Sequence, residues 1–140
     1  MSLTFNKLTP NLIVDSVERS LAFYENVLGF TRGFTVPDAS PFVFGSVASG
    51  GLEIFFNEKH AAVKEYPAFA AKPVGLTGTL FIELEGRGGI DRLHDRLKSL
   101  APIVMPLVTQ FYGMREFAIA DPDGYLITFA ERVAADPASA

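Results

Sequence analysis

The chain has 140 residues, a length that suits one domain or two small modules sharing a core. Its 49% hydrophobic and 20% charged residues exclude a disordered protein, and no apolar stretch reaches the roughly 18 residues of a membrane span. The net charge of −4 without clustered Lys or Arg argues against a nucleic-acid partner, and the lack of cysteine excludes a disulfide framework. Since no signal peptide is recognisable, we expect a cytoplasmic protein without a membrane partner.

The first predicted elements are a strand over residues 8–14 and a helix that follows it directly. Pro10 cannot donate to a sheet ladder and is expected at a strand start, an edge or a bulge. Asp15 as a capping acid, with Glu18 three residues later, predicts the helix start, and Gly29 predicts its end. The apolar face of this helix consists of Val17, Leu21, Tyr24, Val27 and Leu28.

The next segments read as strands separated by turns, then as an irregular region, then as a second strand and helix. The pattern predicts strands over 30–34, 42–47, 52–56, 79–84 and 103–108. A short helix is predicted over 59–66, followed by a linker over 67–78 that contains two Pro and two Gly. The second amphipathic helix presents Ile90, Leu93, Leu97 and Leu100 on one face.

Residues 109–131 predict a β-hairpin around a tight turn. Pro122 has the φ that a second turn position requires, and Gly124 accepts a positive φ. Apolar residues recur at every second position on both arms, which is the period of a half-buried strand. These residues are Phe117, Ile119, Tyr125, Ile127 and Phe129.

The element order is therefore β-α-β-β-β, a linker, and β-α-β-β-β again, with Thr9 and Thr79 at equivalent places. Two copies indicate a duplication rather than a solenoid. We predict an α+β fold in which two paired βαβββ modules form a cupped mixed sheet with the helices outside. Within a single domain 1–140, the expected parts are a first module 5–58, a linker 59–77, a second module 78–132 and a tail 133–140.

Several of these segments resemble the vicinal oxygen chelate superfamily, which contains glyoxalases, bleomycin-resistance proteins and extradiol dioxygenases. The opening of that family is similar to residues 9–14 (TPNLIV), 20–24 (SLAFY) and 28–30 (LGF). Its closing motif resembles Gly113-x-Arg115-x-Phe117 followed by the turn at 121–124. The resemblance spans about residues 5–132 and implies the glyoxalase/bleomycin resistance fold, usually as a homodimer.

The resemblance also implies where a metal would be held. Enzymes of the family bind a divalent ion through one residue each on the first, fourth, fifth and eighth strands, and these places fall on Thr9, Glu53, Thr79 and Thr128. A threonine hydroxyl is a poor ligand for the Zn, Ni, Mn or Fe that these enzymes use, and one carboxylate is insufficient. We therefore predict a member of the family with no metal and no other cofactor.

The two histidines do not change this expectation. His94 lies on the second helix and is expected at the surface, and His60 lies in the irregular stretch after the fourth strand. Neither falls on a ligand position that the resemblance implies.

Strand alternation places small polar, aromatic and acidic side chains on the concave face of the predicted sheet. Thirteen phenylalanines and no tryptophan are consistent with core filling or with an aromatic pocket, and the composition leaves both open. Such a face suits a flat or cationic small molecule, as in metal-free bleomycin-resistance proteins that sequester a drug. The predicted ligand-binding residues are Thr9, Asn11, Glu53, Phe55, Thr79, Phe81, Glu83, Phe111, Tyr112, Arg115 and Thr128.

Two enzymatic alternatives stay open at this stage. The chain is a metal-dependent lyase, isomerase or dioxygenase of the same family if the ligand register is wrong. It is a metal-free enzyme if Glu53 or Glu83 acts as a general base, since a carboxylate in an apolar cup has a raised pKa. The alternative to catalysis is that these carboxylates pair with basic groups or bind an amine of the ligand. Arg115 serves either the hairpin or an anionic ligand group.

Overall fold

The structure is a computed structural model that describes residues 3–75 and 77–134, and it divides the chain into two compact units. The first unit is Met1–Val74 and the second is Gly75–Ala140. The first contains β1 (Asn11–Val14), α1 (Val17–Asn26), β2 (Thr31–Val36), β3 (Phe44–Ser49), β4 (Leu52–Glu58), α2 (Lys59–Glu65) and a 3-10 turn (Pro67–Phe69). The second contains β5 (Thr79–Glu83), α3 (Gly89–Leu97), β6 (Ile103–Thr109), β7 (Met114–Ala120) and β8 (Leu126–Arg132).

Each unit is a four-stranded mixed sheet with the same topology. The strand orders are β1-β4-β3-β2 and β5-β8-β7-β6, and in each sheet the first pair is parallel and the other two pairs are antiparallel. The predicted order β-α-β-β-β therefore occurs twice, and the α+β fold class is confirmed. The short predicted helix at 59–66 is present as α2. No helix in the described ranges 3–75 and 77–134 is long and apolar enough to cross a membrane.

The first strand is shorter than predicted because it begins at Asn11 rather than at residue 8. Pro10 lies just outside the ladder, and its carbonyl accepts a hydrogen bond from the Phe55 amide at 2.9 Å. Leu8 is exposed, so it has no buried face to hold it in the sheet. The prediction that Pro10 marks a strand start is in accord with this geometry.

The predicted capping acid of α1 is wrong. Ser16, not Asp15, is the N-cap, and its hydroxyl accepts a hydrogen bond from the Arg19 amide at 3.1 Å. Glu18 instead accepts hydrogen bonds from the Ser40 hydroxyl and the Phe42 amide, and the Ser40 bond holds the pKa of Glu18 below its ordinary value. Because Ser40 lies 22 positions from Glu18, the local sequence around the helix start gives no indication of this hydrogen bond.

The end of α1 follows the prediction at Gly29, which has a φ of 74°. The helix itself stops at Asn26, so Val27 and Leu28 lie beyond it rather than on its apolar face. The face that remains is Val17, Leu21 and Tyr24, all fully buried. The ring centroid of Tyr24 lies 5.0 Å from that of Phe56 in β4, which fixes α1 on one side of the sheet.

In the second unit, α3 covers one side of the sheet with Ile90 and Leu97, both fully buried. Leu100 was expected on this face, but α3 ends at Leu97 and Leu100 is exposed. The hairpin is confirmed: Phe117 pairs with Phe129 and Ile119 with Ile127. The Gly124 amide donates to the Asp121 carbonyl at 3.0 Å, and Gly124 has a φ of 90°.

The proposed tail 133–140 lies outside the described residues from position 135 onwards, as does Leu76 in the proposed linker. The module boundaries 5–58, 59–77 and 78–132 and the pairing of the modules into a cup remain predictions.

Substitution of Gly45 by Ala tests the packing of α1 on its sheet. A Cβ at Gly45 would lie 2.9 Å from Val17 Cγ1 and 3.1 Å from Leu21 Cδ1, so these two buried side chains of α1 must move. We expect Gly45→Ala to lower the free energy of unfolding by about 1–3 kcal/mol in urea denaturation. Gly51→Ala is the matched control because a Cβ there meets nothing within 4 Å. Equal stability of the two variants would contradict this account of the packing.

Candidate functional site

The sheet of the second unit has one face covered by α3 and one face without a helix. The strand register places Thr128 beside Phe81 of β5 and Ala118 of β7, and it places Ala130 beside Glu83 and Glu116. Because paired residues of neighbouring strands point to the same side, these side chains share the helix-free face. We call this side of the sheet the acidic face; it includes Thr79, Phe81, Glu83, Glu116, Ala118, Thr128 and Ala130, the last four of which are buried. Arg132 continues the same face along β8, because it pairs with Met114 two positions beyond the pair of Ala130 and Glu116.

The two threonines of this face bond to each other. Thr79 Oγ1 lies 2.8 Å from Thr128 Oγ1 and 3.1 Å from the Leu126 carbonyl oxygen. In the part of the chain that the structure describes, the hydrogen bonds of this pair are to each other and to a backbone carbonyl oxygen. Nothing in this pair is suited to coordinating a transition metal.

The acidic face also contains a residue that the sequence analysis did not select. Glu116 is only 4% exposed, and its Oε1 accepts a hydrogen bond from the Tyr112 hydroxyl at 2.6 Å. Within residues 3–75 and 77–134, no donor reaches its Oε2. A buried carboxylate oxygen without a donor is unfavourable unless a cation or a polar ligand group completes its shell. Glu116 therefore keeps an unsatisfied acceptor that is enclosed by the protein, and a cationic group reaches it only when neighbouring side chains move.

Tyr112 and Phe111 lie at the start of the hairpin beside this carboxylate. The hydrogen bond to Glu116 is the main reason that the pKa of Tyr112 is raised, with desolvation adding to the effect. The Arg132 guanidinium donates to the Tyr112 carbonyl at 2.9 Å, which fixes the backbone there. The ring of Phe111 is 95% exposed and meets the Tyr112 ring edge-on at 5.1 Å. A fixed hydroxyl and a free aromatic surface thus adjoin Glu116.

Arg115 lies on the opposite face of the sheet, with α3. Its Nε and Nη2 donate to Asp91 at 3.2 and 3.0 Å, and its Nη1 donates to Thr109 Oγ1 at 3.0 Å. This pairing with Arg115 is the main reason that the pKa of Asp91 is lowered. The structure therefore separates Arg115 from the acidic face and uses it to join α3 to the hairpin.

In the first unit, the face opposite α1 carries an aromatic row. The ring centroids of Phe34 and Phe44 are 5.1 Å apart in a stacked arrangement, and those of Phe44 and Phe55 are 5.2 Å apart. Phe44 pairs with Asn57 in the register, and the Asn57 amide donates to the Asn11 side-chain carbonyl. Asn11 and Phe55 thus lie on one face, as strand alternation predicted, and we call Phe34, Phe44 and Phe55 the aromatic row.

Glu53 lies on a neighbouring position of β4 and forms an ion pair with Lys7 at 2.9 Å. Thr9 lies before the start of β1 at Asn11 and is therefore outside the described strand pairing. The Glu53 carboxylate thus pairs with a basic group, which is the non-catalytic alternative stated in the sequence analysis. The histidines are equally remote from such chemistry: His60 is almost fully exposed beside Glu58, and the His94 ring packs edge-on against Phe117.

The residues at the four family positions do not fit a divalent metal. Three are threonines, two of which bond to each other, and the fourth is Glu53 in its ion pair. Across the described part of the chain, no three His, Cys, Asp or Glu side chains are grouped so that they could hold an ion. The roles of the predicted ligand-binding residues remain predictions.

Known proteins share this sequence pattern and fold. The profile of the Glyoxalase/Bleomycin resistance protein/Dioxygenase superfamily matches residues 4–129. The bleomycin resistance protein of Geobacillus stearothermophilus is 28% identical over 127 residues, which cover 89% of this chain and 95% of that protein. Both results support the resemblance drawn from the opening and closing motifs.

Solved structures agree with the fold. A glyoxalase/bleomycin resistance protein/dioxygenase from Nocardioides superposes with a TM-score of 0.79 at 20% identity, covering 97% of this chain and 90% of the other. The bleomycin-binding protein of bleomycin-producing Streptomyces verticillus, solved with copper(II)-bleomycin, gives a TM-score of 0.61 at 21% identity and covers 91% and 97%. At these identities the structural likeness concerns the fold.

The titration of Tyr112 tests the contact at the centre of the acidic face. Glu116→Leu removes the acceptor, so we expect the pKa of Tyr112 to fall toward its ordinary value of 10.0. Because the folded-state pKa is raised, the associated stabilisation is complete below pH 10 and is lost as the pH rises through the folded value. The measurement is the tyrosinate absorbance of each protein minus that of its Tyr112→Phe counterpart. Glu83→Gln is the control, and an unchanged titration in Glu116→Leu would contradict the contact.

Proposed function

The chain belongs to the glyoxalase/bleomycin resistance protein/dioxygenase superfamily, and we propose that it binds a cationic, aromatic small molecule without a metal ion. The observation that carries the proposal is the buried Glu116, whose Oε1 is held by Tyr112 and whose Oε2 has no donor in the described ranges. An ammonium or guanidinium group satisfies this oxygen and neutralises a carboxylate that is already removed from water. The ordering of the carboxylate by Tyr112 reduces the entropy cost of binding.

The rest of the acidic face suits a flat cation. Glu83 and Glu116 flank Ala130 on the two neighbouring strands, so their Cα atoms are separated by about two strand spacings, or roughly 10 Å. Ala130 itself is fully buried, whereas Glu83 is exposed. A cationic ligand would therefore approach at Glu83 and extend toward Glu116.

Aromatic side chains beside these acids favour an aromatic ligand. Phe81 is 54% exposed on the same face as Glu83 and Glu116, and Phe111 is exposed next to Tyr112. An exposed ring gains by stacking on a planar ligand or by contact with its cation. The aromatic row of the first unit, Phe34, Phe44 and Phe55, is a further stacking surface of the same kind.

The same residues favour binding over catalysis. A metal-dependent lyase, isomerase or dioxygenase of this family needs ligands that three threonines do not supply. A metal-free enzyme needs a free base or an activated nucleophile, whereas Glu53 is paired with Lys7 and the chain has no cysteine. Glu83 and Glu116 remain as carboxylates, and their surroundings suit a bound cation.

From the similarity to bleomycin resistance proteins we propose the biological role of the protein, which is sequestration of a cationic antibiotic in the cytoplasm. The ligand is defined by its chemistry, a cation on an aromatic body, and bleomycin is one example of that class. We further propose that the protein acts as a homodimer, as the resemblance to the family implies.

Metal content tests the proposal against its enzymatic rival. Tag-free protein is incubated with Ni, Zn, Mn and Fe(II), desalted and analysed by elemental mass spectrometry. We expect no metal to be retained near one equivalent, because threonine hydroxyls do not compete with water for these ions. Near-stoichiometric retention of one metal would contradict the proposal and would direct the search to glyoxalase and dioxygenase assays.

Ligand binding tests the role of Glu116 directly. Thermal-shift measurements against cationic aromatic natural products, metal-free bleomycin among them, identify a ligand whose affinity is then measured by calorimetry. We expect Glu116→Gln to weaken that affinity at least about tenfold, since it removes a charge-assisted contact. Glu65→Gln, at the exposed end of α2, is the charge-matched control and keeps the wild-type affinity. Equal affinities of the two variants would rule out Glu116 as the cation site.

A further inference from the structure

A groove lies in the second unit, on the helix-covered side of the sheet. It is formed by α3 and the segment that connects β5 to α3, and its volume is about 440 Å³. The groove is shallow and open to solvent, so a ligand there would contact the protein along one side. We call it the α3 groove; its lining residues are Leu84, Glu85, Gly89, Arg92, Leu93 and Arg96.

The basic side chains of the groove are not used elsewhere in the fold. Arg92 and Arg96 are four residues apart on α3, so their side chains lie on the same side of the helix, one turn apart. The acids that neighbour them in sequence are engaged by other bases, Asp91 by Arg115 at 3.0 Å and Asp95 by Lys98 at 3.3 Å.

Neither guanidinium has an ion-pair or hydrogen-bond partner in the ranges 3–75 and 77–134. Two unpaired guanidiniums beside one hollow are a carboxylate-binding arrangement, because each offers parallel N–H donors.

The amides at the start of α3 do not compete for such an anion. Glu131, which is 1% exposed, accepts hydrogen bonds from the amides of Gly88, Gly89 and Ile90 at 3.0, 2.8 and 3.3 Å. The N-terminal end of the helix is therefore already satisfied by a buried carboxylate. An anion in the α3 groove would be bound by Arg92 and Arg96 alone.

The rest of the lining is apolar or small. Leu84 and Leu93 are half-buried in the groove. Gly89 has no positive φ, and a Cβ there would meet nothing closer than 3.6 Å, so neither backbone conformation nor packing requires glycine. Alanine would be the better helix residue at this position. The absence of a side chain at Gly89 instead keeps the groove open.

We propose that the α3 groove binds a small carboxylate with an apolar body. The carboxylate lies between Arg92 and Arg96, and the apolar part contacts Leu84 and Leu93 beside Gly89. Glu85, which also lines the groove, disfavours a dianion such as phosphate and fits a single negative charge. This site is on the opposite side of the sheet from the acidic face, so it does not depend on the function proposed there.

Calorimetric titration with octanoate, below its micelle concentration, tests the groove. We expect the wild-type protein to bind octanoate and to bind acetate and inorganic phosphate more weakly. Arg92→Gln and Arg96→Gln should each weaken octanoate binding about tenfold, as expected for loss of a charge-assisted bond. Arg87→Gln removes the same charge from the connecting segment outside the groove and should leave the affinity unchanged.

Filling the groove provides an independent test that does not remove charge. Gly89→Leu should abolish octanoate binding in a protein that is still folded, whereas Gly89→Ala should retain it. Absence of octanoate binding by the wild-type protein would overturn the proposal. So would wild-type affinity in the double variant of Arg92→Gln and Arg96→Gln, or in a folded Gly89→Leu protein.

Discussion

The burial of Glu116 with only one of its carboxylate oxygens bonded is the constraint on which the account of this protein depends. Removing a carboxylate from water is costly, and in the described residues Tyr112 supplies its only side-chain donor. The hydrogen bond orders Tyr112 and is the main reason that the pKa of Tyr112 is raised. The remaining oxygen has no donor from the described protein, and this is the basis of our proposal that the site binds a cation.

A second buried carboxylate in the same sheet has a structural role and can be compared with Glu116. Glu131 in β8 faces α3, and both of its oxygens accept amide hydrogen bonds from the start of that helix. Glu116 in the neighbouring β7 faces the other way, with one oxygen bonded. Two acids of similar burial thus differ in their hydrogen bonding: Glu131 stabilises the fold, and Glu116 retains an unused acceptor within the described residues, to which we assign the ligand in our proposal.

Much of the fold follows from local patterns in the sequence. The period-2 spacing of Phe117 and Ile119 and the turn ending at Gly124 determine the hairpin, and alternation correctly places Thr79 and Thr128 on one face. The same alternation locates Glu116 once it is applied to β7 as well as to β5 and β8. Contacts between distant segments leave no such pattern. The ion pair of Arg115 with Asp91 across 24 positions is of this kind, whereas the face on which Arg115 lies follows from its alternation with Glu116 along β7.

The most direct test of the central claim is the carboxyl carbon resonance of Glu116 in protein treated with a chelator and titrated with a cationic aromatic ligand. Assignment by comparison with Glu116→Gln separates this resonance from those of the other acids. The account predicts that the Glu116 resonance shifts and saturates with the ligand, while that of the exposed Glu65 does not move. A ligand-saturated, metal-free protein with an unshifted Glu116 resonance would contradict it.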